Sequence, residues 1–291
     1  MTDVRRGVVL LAAVLVAGTP IRRRTAPAFG IDTAARSIAQ GELVVFTISL
    51  EGAPSKVRVK VFRKDIPAFR LTDGRWRALV GIDLDERPGR YIATVEADLG
   101  STLLRQSRPL VVVARKFATR TLGVDPDFVN PPPSELSRIS SDAAFLRDTL
   151  ASSATLRLWS APFVRPVPGE TNSQFGSRSV FNGEPRSAHG GADFLSPAGT
   201  LVKSPNAGRV VCARDLFFTG NTVVVDHGLG VLSLLAHLSR MDVKEGEMVT
   251  DGQVVGLVGA TGRVTGPHLH WALTVFGARV DPLSALALLG S

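Results

Sequence analysis

Pro267-His268-Leu269-His270-Trp271-Ala272-Leu273-Thr274-Val275 is the stretch on which the reading of this chain turns. Trp271, Leu273 and Val275 keep a period of two, the spacing of a strand with one buried face. Residues two apart on a strand point the same way, so the imidazoles of His268 and His270 enter one space. Flanked by apolar residues, two neighbouring imidazoles are costly to bury without a partner. A plain pair of core or surface histidines accounts for them less well than a metal or a catalytic task.

The chain has only 5 histidines in 291 residues. All lie between residues 189 and 270, and four of them fall in three short motifs: this strand, His189-Gly190-Gly191-Ala192-Asp193 and Leu235-Ala236-His237-Leu238. Imidazole and carboxylate are the ligands zinc takes besides thiolate, and a catalytic zinc needs three of them with one position open to water. The remaining histidine is then free for acid–base work. His189 and Asp193 would share a helix face, but Gly190 and Gly191 each cost a helix about 1 kcal/mol relative to Ala. A tight loop running into a strand Ala192-Asp193-Phe194 is the better expectation. His237 alone, in a strand-like run, reads as a satisfied core histidine. His227, in Asp226-His227-Gly228, reads as a turn residue after a strand, with no site role.

Taken in order and spacing, His189-x-x-x-Asp193, Ala236-His237-Leu238 and Gly262-Arg263-Val264-Thr265-Gly266-Pro267-His268-Leu269-His270-Trp271 resemble the lysostaphin-type zinc metallopeptidases. Asp226-His227-Gly228 and Gln174-Phe175-Gly176-Ser177-Arg178 are similar to that family's flanking segments. The resemblance covers about residues 165 to 285. It implies an endopeptidase acting on the peptide cross-links of peptidoglycan, with one Zn2+ held by His189, Asp193 and His270. It also implies that His237 and His268 line the open side, as general base or as stabilisers of the oxyanion. Where the family commonly carries an aromatic two residues before the histidine matching His237, this chain has Leu235, a departure that bears on loop packing or substrate preference.

The rest of the chain is read as mainly β. From Glu42 to about Val113, Val44, Phe46, Ile48 and Leu50 alternate with polar neighbours, as do Val57, Val59 and Val61, then Trp76, Ala78, Val80 and Ile82, then Tyr91, Ala93 and Val95. Turn signals at Gly52-Ala53-Pro54, Asp73-Gly74 and Arg87-Pro88-Gly89 separate them, which predicts antiparallel strands with one buried face. Residues 36–115 are therefore expected to form an immunoglobulin-like β-sandwich. Asn130-Pro131-Pro132-Pro133 is a stiff break. Within a linker over 116–160, Ser134 as N-cap and Leu136, Ile139, Ala143, Leu146 and Leu150 on one face predict a helix over about 134–150, packed against a neighbouring domain. Residues 161–287 are expected to form the antiparallel β peptidase domain.

Composition sets the bounds. Hydrophobic content of 44% with 21% charged residues is that of a globular protein. The net charge of +8 is compatible with anionic partners, but the basic residues are scattered and aromatics are only 6%, so no nucleic-acid platform is expected. Arg5 and Arg6 precede an apolar run from Gly7 to Gly18, too short to cross about 30 Å of hydrocarbon. It fits a signal peptide over residues 1–28, ending in Ala26-Pro27-Ala28; Arg22-Arg23-Arg24 is unusual there. Export to the periplasm or cell envelope follows, with no stable transmembrane segment. The single Cys212, in an apolar run, has no partner for an internal disulfide and is expected to be buried.

Two other functions compete. Val243–Val249 and Asp251–Gly256 look like half of a biotinyl or lipoyl carrier domain, but no lysine with the flanking residues of a carrier is present. A non-catalytic cell-wall-binding activator of another wall hydrolase is the second alternative. It is disfavoured because all three positions matching the ligands hold competent residues. Gly259, Gly262 and Gly266 lack the Gly-Lys-Ser/Thr ending of a P-loop and are read as close turns.

Overall fold

The computed structural model describes residues 29–290, apart from 123–126, 128, 161, 172–174 and 182. The expected signal peptide over residues 1–28 and Gln174 lie outside the described residues. Among the described residues no helix is long and apolar enough to cross a membrane.

The N-terminal unit contains β1 (Phe29–Ala34), β2 (Leu43–Leu50), β3 (Lys56–Val61), β4 (Lys64–Pro67), β5 (Phe69–Arg70), β6 (Trp76–Gly81), β7 (Gly89–Asp98) and β8 (Leu103–Val112). They pair antiparallel in two 4-stranded sheets, ordered β1-β2-β6-β5 and β4-β3-β7-β8. The alternating residues meet between the sheets: Val44, Phe46 and Ile48 from one, Val57, Val59 and Val95 from the other.

The expectation of a single buried face is corrected for β2 and β6. Leu43, Val45 and Leu79 are buried on the opposite side, in a second core shared with Val231, Leu273, Val275 and Ala278 of the C-terminal unit. The unbroken run Leu43-Val44-Val45-Phe46 is the pattern of a strand covered on both faces. Polar links complete this junction. Asp281 is fully buried and receives Arg36 at 2.8 Å and Arg115 at 3.3 Å, the pairing that a buried carboxylate requires.

The C-terminal elements are β9 (Thr119–Leu122), α1 (Leu136–Ala151), β10 (Glu170–Thr171), β11 (Arg178–Phe181), β12 (Glu184–Ala188), β13 (Gly191–Leu195), β14 (Leu201–Lys203), β15 (Gly208–Leu216), β16 (Gly220–Gly228), β17 (Val231–Met241), β18 (Met248–Val249), β19 (Val254–Val258), β20 (Leu269–Val275), β21 (Ala278–Val280) and α2 (Pro282–Leu289). A 10-stranded sheet runs β10-β13-β20-β17-β16-β15-β18, with β14, β19 and β21 attached along it. Its face is filled by Phe194, Val223, Val225, Leu235, Leu269 and Trp271. The segment read as linker contributes a strand of its own, since β9 pairs parallel with β11 in a 3-stranded sheet.

The expected helix is α1, but Ser134 is not its N-cap. Pro133 opens a 3-10 turn over Pro133–Glu135, and Glu135 takes the cap position with no side-chain hydrogen bond. Proline suits the first position of such a turn because it has no N–H to satisfy. Phe145, Leu146 and Leu150 pack against the outer face of the large sheet at Leu216, Val224 and Leu234. Leu136 and Ala143, expected on that face, are exposed. Cys212 is buried in the same cluster, where desolvation pushes its thiol up to about 11.

Candidate metal centre

Adjacent strands bring the site together. Asp193 on β13 lies opposite His270 on β20, and His270 lies opposite Ala236 on β17. His268, one residue before β20 begins, forms an antiparallel bridge with Gly259 and shares the face of His270. His189 comes from the short loop between β12 and β13. That loop is anchored by backbone bonds from His189 N to Ser177 O at 2.9 Å and from Gly176 N to His189 O at 2.7 Å. Gly191 is required by contact. A Cβ there would stand 2.5 Å from Trp271 O and 2.7 Å from His270 Cε1.

The three motifs converge at one point. His189 Nε2 lies 2.9 Å from His270 Nδ1 and 3.1 Å from Asp193 Oδ1, and His270 Nδ1 lies 3.0 Å from Asp193 Oδ1. His268 Nε2 stands 3.7 Å from the same carboxylate oxygen. Two imidazole nitrogens and a carboxylate oxygen crowded to this degree present more lone pairs than their few protons can bridge, and a cation relieves that crowding. The cluster His189, Asp193 and His270 fits a metal site. Burial opposes charge on Asp193, but hydrogen bonds and charge from His189 and His270 outweigh it and hold the carboxyl far below the usual range.

His237 reaches the site through a departure from regular strand geometry. Its φ is +64°, in the left-handed region, and the β16–β17 register shifts at this point: Asn221 pairs with Leu238, and Val223 with Leu235. Such a bulge re-aims a side chain. The imidazole lies 4.9 Å from the His268 ring and 5.9 Å from the His270 ring, centre to centre. Burial, with His270 and His268 alongside, pushes its pKa down to about 3. Its Nδ1 is 2.9 Å from Thr261 O, and His268 Nδ1 is 2.8 Å from Gly266 O. A carbonyl only accepts, so each ring donates its Nδ1–H and each neutral ring keeps its lone pair on Nε2.

The structure thus gathers all five expected site residues. His227 is outside the cluster, as read, yet it is not a turn residue: it lies within β16, fully buried. Its Nδ1 is bonded to Ala207 O at 2.8 Å and its Nε2 to Ser233 Oγ at 2.9 Å. Ser233 Oγ also accepts from Trp271 Nε1 at 3.1 Å, so this histidine braces the strand that carries His270. Burial lowers its pKa to about 4. Leu235, at the position of the family's aromatic, is fully buried in the sheet core. Sequence reasoning missed Thr261 and Gly266. They act through backbone carbonyls, which leave no side-chain signature beyond the glycine-rich approach to His268.

The model of Peptidase family M23 matches residues 187–282. Peptidoglycan DD-endopeptidase ShyA of Vibrio cholerae is 46% identical over 97 residues, which are 33% of this chain and 23% of ShyA. DD-carboxypeptidase/endopeptidase Mpg of Neisseria meningitidis is 42% identical over 96 residues, 33% of this chain and 22% of Mpg. The matched stretch therefore spans less than a quarter of the length of these curated relatives. A Pseudomonas aeruginosa protein assigned to peptidase M23, known from a crystal structure, is 32% identical and matches with a TM-score of 0.67. That match covers 88% of this chain and 96% of the other. With almost the whole of a solved relative matched in sequence and fold, this chain belongs to peptidase family M23.

Proposed function

We propose that the chain is a zinc-dependent endopeptidase that hydrolyses peptide cross-links of peptidoglycan, exported to the periplasm or cell envelope. The observation that carries this reading is the triangle of His189 Nε2, Asp193 Oδ1 and His270 Nδ1, with edges of 2.9–3.1 Å and two further histidines beside it. Ligand bonds of about 2.0–2.2 Å to a tetrahedral zinc correspond to edges of about 3.3–3.6 Å, so small movements of three side chains accommodate the ion. The name of ShyA, a peptidoglycan DD-endopeptidase, supports the substrate class. We also propose the division into an immunoglobulin-like module over 36–115, a linker over 116–160 and a peptidase domain over 161–287, with residues 1–28 as signal peptide.

His189, Asp193 and His270 would hold one Zn2+ per chain. When bound, the ion supplies a Lewis acid for the scissile carbonyl and lowers the pKa of water at its open position. His237 and His268 do the proton work at Nε2, because Nδ1 of each is committed to a carbonyl. One takes a proton from the attacking water at Nε2 and returns it to the leaving amine, while the other stabilises the oxyanion as an imidazolium, whose Nε2–H donates to it. Ala192, Phe194 and Trp271 close the floor beneath the site to solvent.

The test is digestion of purified wall fragments of defined cross-link type, with products identified by mass. Cleavage that leaves one new amine and one new carboxyl end, lost with a chelator and restored by Zn2+, supports the reading. Intact fragments bound by the protein, with stimulation of a separate hydrolase, would favour the activator alternative.

A further inference from the structure

We propose that Thr261 is a positioning residue, holding His237 in the single tautomer and orientation that leaves Nε2 free for proton transfer. This rests on the reading of His237 as one of the two acid–base histidines.

The His237 backbone is strained, with φ at +64°. A left-handed backbone at a residue other than glycine is unfavourable and persists only where its surroundings impose it. At His237 two groups do so. The backbone N–H donates to Thr219 O at 2.9 Å, and the ring Nδ1–H donates to Thr261 O at 2.9 Å. The ring is thus only as fixed as the Thr261 carbonyl.

That carbonyl is fixed by its own side chain. Thr261 Oγ1 donates to Leu238 O at 2.8 Å and accepts from Asn221 N at 3.0 Å. Asn221 and Leu238 are register partners on β16 and β17, immediately beside the bulge. The hydroxyl therefore sits where a direct ladder bond between the two strands belongs, satisfying one donor and one acceptor at once. A side chain that is both donor and acceptor can do this; an apolar one of the same shape cannot.

Two glycines allow the approach. A Cβ on Gly220 would stand 2.3 Å from Thr261 Oγ1 and 2.6 Å from Thr261 O. A Cβ on Gly262 would stand 2.4 Å from Gly220 N and 2.7 Å from Phe218 O. The turn ahead of β16 and the loop leading to His268 interlock backbone to backbone, and Arg263 N to Phe218 O at 2.9 Å closes the contact. Thr261 is the point where this interlock, the bulge and the imidazole meet.

The experiment compares Thr261→Val, Thr261→Ser and the unaltered full chain. It measures zinc per chain, kcat and KM on a cross-linked wall fragment, and the ring nitrogen–proton NMR correlations of His237, assigned by their loss in His237→Gln. The inference expects Thr261→Val to keep its zinc and to lose roughly 10–100-fold in kcat with KM changed less than about threefold. The His237 signals should pass from one Nδ1–H tautomer to a mixture, and Thr261→Ser should restore both kcat and the single tautomer. Unchanged kcat and ring signals in Thr261→Val would overturn it. So would loss of zinc and of native near-ultraviolet circular dichroism together, which assigns the hydroxyl to holding the fold, or failure of serine to rescue. An unaltered chain that binds no zinc and cuts nothing would defeat the functional reading alone, because the ring spectrum reports on Thr261 independently of activity.

Discussion

Arg279 Nη2 lies 2.6 Å from Asp83 Oδ1, joining β21 of the peptidase unit to the loop that follows β6 of the sandwich. The Arg279 backbone N–H donates to Asp83 Oδ2 at 2.9 Å, and the guanidinium also reaches Asp85 at 2.8 Å. Burial opposes the charge on Asp83, but these bonds outweigh it and hold its pKa below the usual value. A carboxylate with a depressed folded-state pKa contributes stability that is full above its unfolded pKa and lost as pH falls through the folded one. Asp83→Asn should cost about 1–3 kcal/mol at pH 7, with the gap to wild type closing below about pH 3.9. Urea unfolding at a series of pH values measures this.

His227 has the opposite charge logic. Its pKa is lowered to about 4 by burial, whereas in the unfolded chain a histidine takes up its proton near the ordinary value of about 6.5. Unfolding then binds a proton between those values, so stability is full above the window and falls as pH drops through it. The total is on the order of 3 kcal/mol. His227→Gln, which cannot titrate, should show a correspondingly flatter loss of stability from pH 7 to pH 4 in the metal-free protein.

The sandwich also buttresses the loop that carries His189. Gly41 has φ +78°, and a Cβ there would lie 2.2 Å from Phe175 Cε1. Phe175 precedes the Gly176–Ser177 pair that anchors the His189 backbone. Gly41→Ala should therefore weaken zinc binding by about tenfold or more, the range for residues that orient ligands. Competition with a chromophoric chelator gives the number.

His237→Gln and His268→Gln test the division of labour. Each should retain one zinc per chain while kcat falls by roughly 10²–10⁴-fold. Metal analysis and turnover on the same preparations separate these roles from metal binding.

The period of two placed His268 and His270 on one face, and Gly190-Gly191 announced the loop that turns His189 toward Asp193. Alternation also located the sandwich core at Val44, Phe46 and Ile48. It could not show that Leu43 and Val45 are covered by another unit, because burial on a second face depends on a partner far along the chain; the unbroken apolar run was the available signal. The bulge at His237 left no mark in the alternation either. A regular strand would put His237 on the side of Leu235, in the core, and only the shift against β16 turns it to the site. Ser134 had the right chemistry for a cap, but Pro133 begins the turn before it.

The most direct test is equilibrium zinc titration of the unaltered chain beside His189→Ala, Asp193→Ala, His270→Ala and, as controls, His237→Ala and His268→Ala. One equivalent should bind to the unaltered chain and to both controls, and tight binding should vanish in each of the other three. Any of those three binding zinc with unaltered stoichiometry and affinity would contradict the assignment of a single metal centre to these side chains.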